Sequence, residues 1–97
     1  RSTALRAFAE VENLLAAEIR LAEQEKLIEL AAQSSEQAAK LSWERYQRGV
    51  EAIFNALENQ RRAFDARSRA FTIRKQRLHN RIDLYLALGL SPLAEKS

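Results

Sequence analysis

The fold is decided by the stretch Arg45-Tyr46-Gln47-Arg48-Gly49-Val50-Glu51, near the middle of this 97-residue sequence. No other glycine and no proline occurs before Gly89. Glycine adopts a positive φ at little cost, so a lone glycine between two helix-compatible runs is typical of the residue just past a helix end. The stretch therefore predicts a chain reversal with Gly49 at its tip.

The composition predicts that both runs are helices. Ala, Leu, Glu, Arg and Gln dominate the sequence, as they do in long helices and coiled coils. We predict an all-α fold, a long antiparallel two-helix coiled-coil hairpin in a single domain. Its expected parts are a helix over 3–47, a tip over 48–50, a helix over 51–88 and a tail over 89–97. Gly89, followed by Pro92, predicts the stop of the second helix.

One column of large apolar residues dominates the second helix. Its members are spaced by seven: Leu57, Phe64, Phe71, Leu78 and Tyr85. A strict seven-residue repeat indicates a left-handed supercoil. We therefore expect this column to face the first helix, with Arg67, Arg74 and Arg81 in the second, weaker seam column. Such an under-filled seam indicates that further helices pack here, or that the arginine stems cover it.

The charges of the two helices are complementary. Residues 1–47 carry eight acidic side chains, whereas residues 61–81 carry eight basic side chains and one acidic one. If the chain folds back at Gly49, facing residues have numbers that add up to about 98. This rule predicts three ion pairs that fix the register more than the stability: Glu36 with Arg62, Glu29 with Arg69, and Glu23 with Lys75.

The sequence lacks the residue sets of the common catalytic and metal sites. His79 is the only histidine and there is no cysteine, so neither a metal site nor a nucleophilic triad is expected. No glycine-rich phosphate loop is present. We predict no enzyme activity and no cofactor. The arginines of 61–81 could contact phosphates, but half of them should face the acidic first helix, so nucleic acid is not the expected partner. No run is long and apolar enough for a membrane-spanning helix.

The tip and its flanks resemble a known family. The pattern Arg45-Tyr46-x-x-Gly49-Val50, followed by Phe54-x-x-Leu57-Glu58-x-Gln60-Arg61, resembles the periplasmic tip signature of the outer membrane factors, the TolC-like outer-membrane efflux proteins. Residues 5–13 and 82–89 are similar to the start and end of the family's last helix pair. The sequence departs from the family at Glu58, where Asp is usual, at Asn59, where Ala is usual, and at the shortened Gly89-Leu90 ending. Efflux and type I secretion both stay open as the subclass.

The resemblance implies that the chain is a fragment of a longer protein of a Gram-negative bacterium. Family members are homotrimers with a long α-helical barrel in the periplasm, through which drugs, metals or secreted proteins leave the cell. A periplasmic adaptor, or membrane fusion protein, docks at the hairpin tips and links the channel to an inner-membrane pump. The resemblance assigns the adaptor-facing tip to five residues: Arg45, Tyr46, Gly49, Val50 and Glu51.

The resemblance also assigns Phe54 and Glu58 to the pore constriction, where a trimer turns each into a ring of three. A ring of Glu58 carboxylates should have a raised apparent pKa and should favour bound cations. Leu57 is expected to point into the helix pair. The simpler reading leaves Glu58 solvated and packs Phe54 against Trp43. The alternative for the whole chain is an autonomous helical-hairpin scaffold or interaction module with a basic docking face.

Overall fold

The computed structural model describes the backbone of residues 2–90 and the side chains of residues 3–89. It consists of two long α-helices, α1 over Ser2–Gln47 and α2 over Ile53–Leu90, and the described residues form no strand. The predicted all-α helical hairpin is confirmed. Both runs are rich in strong helix formers, which explains why neither helix is interrupted.

The bounds of α2 differ from the expected 51–88 at both ends. The helix begins at Ile53 because the Ala52 carbonyl accepts its first bonds, from the N–H groups of Asn55 at 3.1 Å and Ala56 at 3.3 Å. At the other end, α2 continues through Gly89 to Leu90. Gly89 has no positive φ and lies within the helix. Glycine permits a helix end but does not force one. The rest of the predicted tail, 91–97, lies outside the described residues.

The chain divides into two compact units, each formed by both helices. Among the described residues, we call 25–73 the tip unit, and 2–24 with 74–90 the terminal unit. In both units, residues that form hydrogen bonds between the two helices have numbers that add up to between 94 and 103, around the predicted 98.

Small side chains form the buried seam of the tip unit. The buried residues are Ala32, Ala39, Ser42, Ala56, Ala63 and Ala70. The prediction that the large apolar column faces α1 is wrong, because Leu57, Phe64 and Phe71 are between 51% and 72% exposed. The alanine column of α2 precedes the large column by one residue, and its small side chains suit a short distance between helix axes.

The ion pairs of the tip unit also differ from those predicted. Arg67 binds both Glu29 and Glu36 of α1, with Nη–Oε distances of 2.7 and 2.6 Å. The expected partners Arg62 and Arg69 are therefore wrong for these carboxylates. Arg62 binds Glu58 of its own helix at 3.3 Å. A single half-buried arginine replaces two surface pairs because its planar guanidinium can donate to two carboxylates at once.

The terminal unit places polar groups in its seam beside Leu21 and Leu84, which are buried. The buried Asn80 donates from Nδ2 to the Leu14 carbonyl oxygen at 2.9 Å. Glu18 accepts bonds of 2.9 Å from Arg77 and Arg81.

Two sequence predictions for this unit are wrong as well. The large-column residues Leu78 and Tyr85 are exposed. Glu23 and Lys75 form no ion pair within the described residues.

Neither described helix has a stretch of the length and apolarity that spanning a membrane requires.

Candidate functional site: the hairpin tip

The reversal is a glycine-terminated helix end. Gly49 has a φ of 76°, the one positive φ among the described residues. Its N–H donates to the Tyr46 carbonyl oxygen at 2.9 Å, and the Val50 N–H donates to the Arg45 carbonyl oxygen at 2.9 Å. These two bonds define a Schellman motif, with Gly49 as its left-handed residue. The motif satisfies two carbonyls at the end of α1 and starts the reversal of the chain.

A small polar network fastens the tip to the helix pair. The buried Ser42 hydroxyl donates to the Glu51 carboxylate at 2.7 Å and accepts a bond from the Asn59 amide at 3.0 Å. The same Asn59 amide donates to the Asn55 carbonyl oxygen at 3.1 Å. One serine thus connects α1, the segment between the helices and α2, which holds the tip in one orientation.

The structure brings together all five residues that the resemblance assigned to the tip. Gly49 and Val50 project from the turn, and Val50 is 76% exposed. Arg45 is exposed, and Tyr46 packs beside Trp43, with ring centroids 5.4 Å apart and planes tilted by 43°. Glu51 differs from the others, because its carboxylate is already engaged by Ser42 and is only half exposed. The apolar side chain of Val50, the cationic side chain of Arg45 and the aromatic ring of Tyr46 are therefore accessible to solvent at the tip.

Phe54 and Glu58 lie on α2 directly after the tip, four residues apart and hence on one helix face. Phe54 is 80% exposed, so its side chain is not buried against Trp43. The expectation that Leu57 points into the helix pair is wrong, since its side chain is about half exposed. The buried position nearby is Ala56.

The Glu58 carboxylate has two cationic neighbours on its own helix. Arg61 donates to it at 2.6 and 3.2 Å, and Arg62 donates at 3.3 Å. Arg61 also binds Asp65 at 2.7 Å. The hydrogen bonds from Arg61 are the main reason why the pKa of Glu58 lies below its ordinary value. In the single chain at neutral pH, the Glu58 carboxylate is therefore ionised, and Arg61 and Arg62 compensate its charge.

Sequence reasoning missed the partners of these site residues. Ser42 and Asn59 carry a weak signal in that their numbers add up to 101, close to the facing rule. Arg61 and Arg62 follow Glu58 by three and four residues, a spacing that predicts side-chain pairing on a helix. That second signal was available in full from the sequence.

A shallow groove of about 530 Å³ lies beside the alanine seam of the tip unit. Ala39 and Ala63 are part of its lining, together with the larger side chains of Trp43 and Phe64. The ion-paired Glu36 and Arg67 line it too. The groove exists because small residues lie next to large exposed ones on both helices.

The described residues contain no cluster of three or more His, Cys, Asp or Glu side chains suited to a metal ion. Much of the basic surface of α2 is used within the chain. Arg67, Arg77 and Arg81 bind carboxylates of α1, while Arg61 binds Glu58 and Asp65. These contacts reduce the positive charge on which a basic docking face depends.

Comparison with known proteins identifies a family for most of the chain. A sequence model of the family described as Outer membrane efflux protein matches residues 1–90. Neither the comparison with curated proteins nor the comparison with solved structures found a significant match.

Proposed function

The chain belongs to the family of outer membrane efflux proteins, and from that premise we propose that it is a periplasmic hairpin of a trimeric export channel. In this proposal the hairpin is one part of an α-helical barrel, its tip docks a periplasmic adaptor, and the adaptor connects it to an inner-membrane pump. The export process is either efflux or type I secretion. The family match favours this function over an autonomous scaffold.

The observation that carries the docking proposal is the shape of the tip. The Schellman motif at Gly49 leaves Val50 76% exposed at the reversal, and Ser42 fixes the orientation of the segment through Glu51. A partner thus meets a rigid apolar point flanked by Arg45 and Tyr46. Preorganised contact residues lower the entropic cost of association, which favours a docking role for them.

Site-specific photocrosslinking in cells tests the docking proposal. A photoreactive amino acid replaces Val50 in the full-length protein, and the matched control carries it at the exposed Ser34 on α1. We expect an adduct with the periplasmic adaptor from position 50 and none from position 34. Equal adduct yields at both positions, or adducts only at 34, would remove the tip from the docking surface.

We also propose that Phe54 and Glu58 line the pore constriction. The exposure of Phe54 and the common face of the two residues support this role. Arg61 and Arg62 compensate the charge of each Glu58, so a ring of three would repel itself less than three isolated carboxylates. Both oxygens of Glu58 accept bonds from these arginines, so a cation in the pore would compete with Arg61 and Arg62 for the carboxylate.

Conductance of the full-length channel in a planar bilayer tests the pore proposal. We expect Glu58→Ala to raise the conductance and to weaken block by divalent cations. Asp83→Ala is the matched control, since Asp83 is an exposed carboxylate elsewhere on α2. Unchanged conductance together with unchanged block in Glu58→Ala would exclude Glu58 from the constriction.

A further inference from the structure

Two neighbouring columns of α2 compete for the same seam. The alanine column is Ala56, Ala63 and Ala70, and the large column of the tip unit is Leu57, Phe64 and Phe71. Adjacent residues on a helix are separated by about 100° of rotation. Apolar area alone favours burial of the large column, because buried area sets the hydrophobic gain. The structure buries the alanines instead, so another interaction selects the rotation of α2.

Arg67 is the side chain placed to make that selection. Its guanidinium donates to both oxygens of Glu29, at 2.7 and 3.0 Å, and to both oxygens of Glu36, at 2.9 and 2.6 Å. The Arg67 side chain is only 26% exposed. Its Cζ lies 6.0 Å from the centroid of the Phe71 ring. Arg67 thus lies at the edge of the seam, between the alanine column and the large column.

The two flanks of the α1 seam differ in charge. Glu29 and Glu36 are three residues before Ala32 and Ala39, on one side of the buried column. The opposite side is formed by Ile28 and Ser35, which are four residues before Ala32 and Ala39 and carry no charge. Turning α2 by one residue to bury Phe64 would move Arg67 to the uncharged flank. There it would lose both carboxylates.

We propose that Arg67, held between Glu29 and Glu36, is a rotational lock that keeps the alanine column of α2 against α1 and the large column outward. The four charge-assisted bonds are available in one rotation only. The hydrogen bonds from Arg67 lower the pKa of Glu29 and of Glu36, so both carboxylates are charged at neutral pH. Arg67 therefore holds both charged carboxylates at neutral pH.

The terminal unit contains an ion-pair arrangement of the reverse polarity. Here one carboxylate of α1, Glu18, is held by two arginines of α2, Arg77 and Arg81. Asn80 adds a bond to the Leu14 carbonyl oxygen at 2.9 Å. The large-column residues of this unit are exposed, as they are in the tip unit. The same outcome thus accompanies a different set of polar contacts.

Cysteine alkylation of the full chain tests the lock, since the sequence contains no cysteine of its own. Ala70→Cys reports the alanine column, which is protected, and Phe64→Cys reports the large column, which is accessible in a single chain, so alkylation is followed at a concentration at which the chain is monomeric. In the Glu29→Gln/Glu36→Gln background we expect alkylation at position 70 to rise by about tenfold, because bonds to charged groups are stronger than neutral ones. Alkylation at position 64 should fall. Glu10→Gln/Glu12→Gln removes the same charge from exposed positions and should change neither rate.

Charge reversal separates a lock from loss of folding. Arg67→Glu alone should expose position 70, and Arg67→Glu combined with Glu29→Arg and Glu36→Arg should restore its protection, while circular dichroism reports unchanged helix content. Continued protection at position 70 in the glutamine variant would overturn the proposal. Faster alkylation at both positions would also overturn it, since the helices would then have separated rather than rotated. Failure of the reversed triple variant to restore protection would count equally against it.

Discussion

At the scale of single residues, Gly49 is the position where backbone geometry decides the fold. A Cβ built on Gly49 meets nothing within 4 Å, so the requirement for glycine comes from its φ of 76° and not from crowding. Other L-residues are destabilised in this conformation by roughly 1–2 kcal/mol. The Schellman bonds from Gly49 and Val50 depend on that conformation.

Gly49→Ala should therefore lower the free energy of unfolding by about 1–2 kcal/mol, and Gly49→Val should lower it further because valine is β-branched. Gly89→Ala is the control, since Gly89 lies in α2 and has equal space for a Cβ. Replacing a helical glycine with alanine should raise stability by up to about 1 kcal/mol. Urea unfolding followed by circular dichroism measures both changes. Equal effects at the two glycines would contradict this account.

Ser42 is the second residue with an effect larger than its size suggests. Ser42→Ala removes the donor to Glu51 and the acceptor for Asn59. We expect a loss of about 1–3 kcal/mol, because partly buried groups lose their partners. Ser34→Ala changes an exposed serine on the same helix and should be nearly neutral. Thermal unfolding of the two variants compares them, and similar melting temperatures would show that the network adds little.

At the scale of the helices, the ion pairs between α1 and α2 make stability depend on pH. The pKa values of Glu29 and Glu36 lie below the ordinary 4.5, chiefly because Arg67 donates hydrogen bonds to them. Burial raises the pKa of Glu18, but bonds from Arg77 and Arg81 outweigh it and leave a net lowering. A carboxyl whose pKa is lower in the folded state stabilises the fold above its unfolded pKa. That contribution is lost as pH falls through the folded value.

The melting temperature should accordingly be steady near neutral pH and fall as the pH drops below about 4.5, the ordinary value for these carboxyls. Glu29→Gln/Glu36→Gln should melt lower at pH 7 and show a smaller further loss in acid. Glu10→Gln/Glu12→Gln serves as the control and should keep the full acid dependence. A calorimetric series from pH 7 to pH 3 gives the three curves. Parallel curves for all of them would refute the assignment to the Arg67 pairs.

The helices and their reversal could be predicted from the sequence because they depend on local properties. Helix-forming residues and one glycine with positive φ are visible without tertiary information. The seam could not be predicted in the same way. The seven-residue repeat placed the large Phe64 and Phe71 in the seam. In the observed rotation of α2, Ala63 and Ala70 are buried instead, and Arg67 binds two carboxylates of α1. The docking role of the tip residues comes from the resemblance and stays a prediction, while Ser42 was missed because its role depends on contacts with Glu51 and Asn59.

At the scale of the whole molecule, both helices leave large apolar side chains in solvent. On α2 these include the entire large column, and on α1 they include Phe8, Leu15, Leu27 and Leu41. Extended exposed apolar surface in a protein usually marks a place where other helices pack. A protomer of a helical barrel has such neighbours, and the chain on its own has none except another copy.

We therefore expect the 97-residue chain to self-associate through the large column. Sedimentation equilibrium should show a mass that rises with concentration. Leu57→Ser/Phe64→Ser should shift the chain towards monomer with little loss of helix content, because both side chains are exposed in the hairpin and their removal leaves no cavity. Ser68→Ala/Thr72→Ala changes two other exposed positions of α2 and should leave the association unchanged. A stable monomer at high concentration would contradict the expectation, and so would equal association of the two double variants, which would locate the contact on another face.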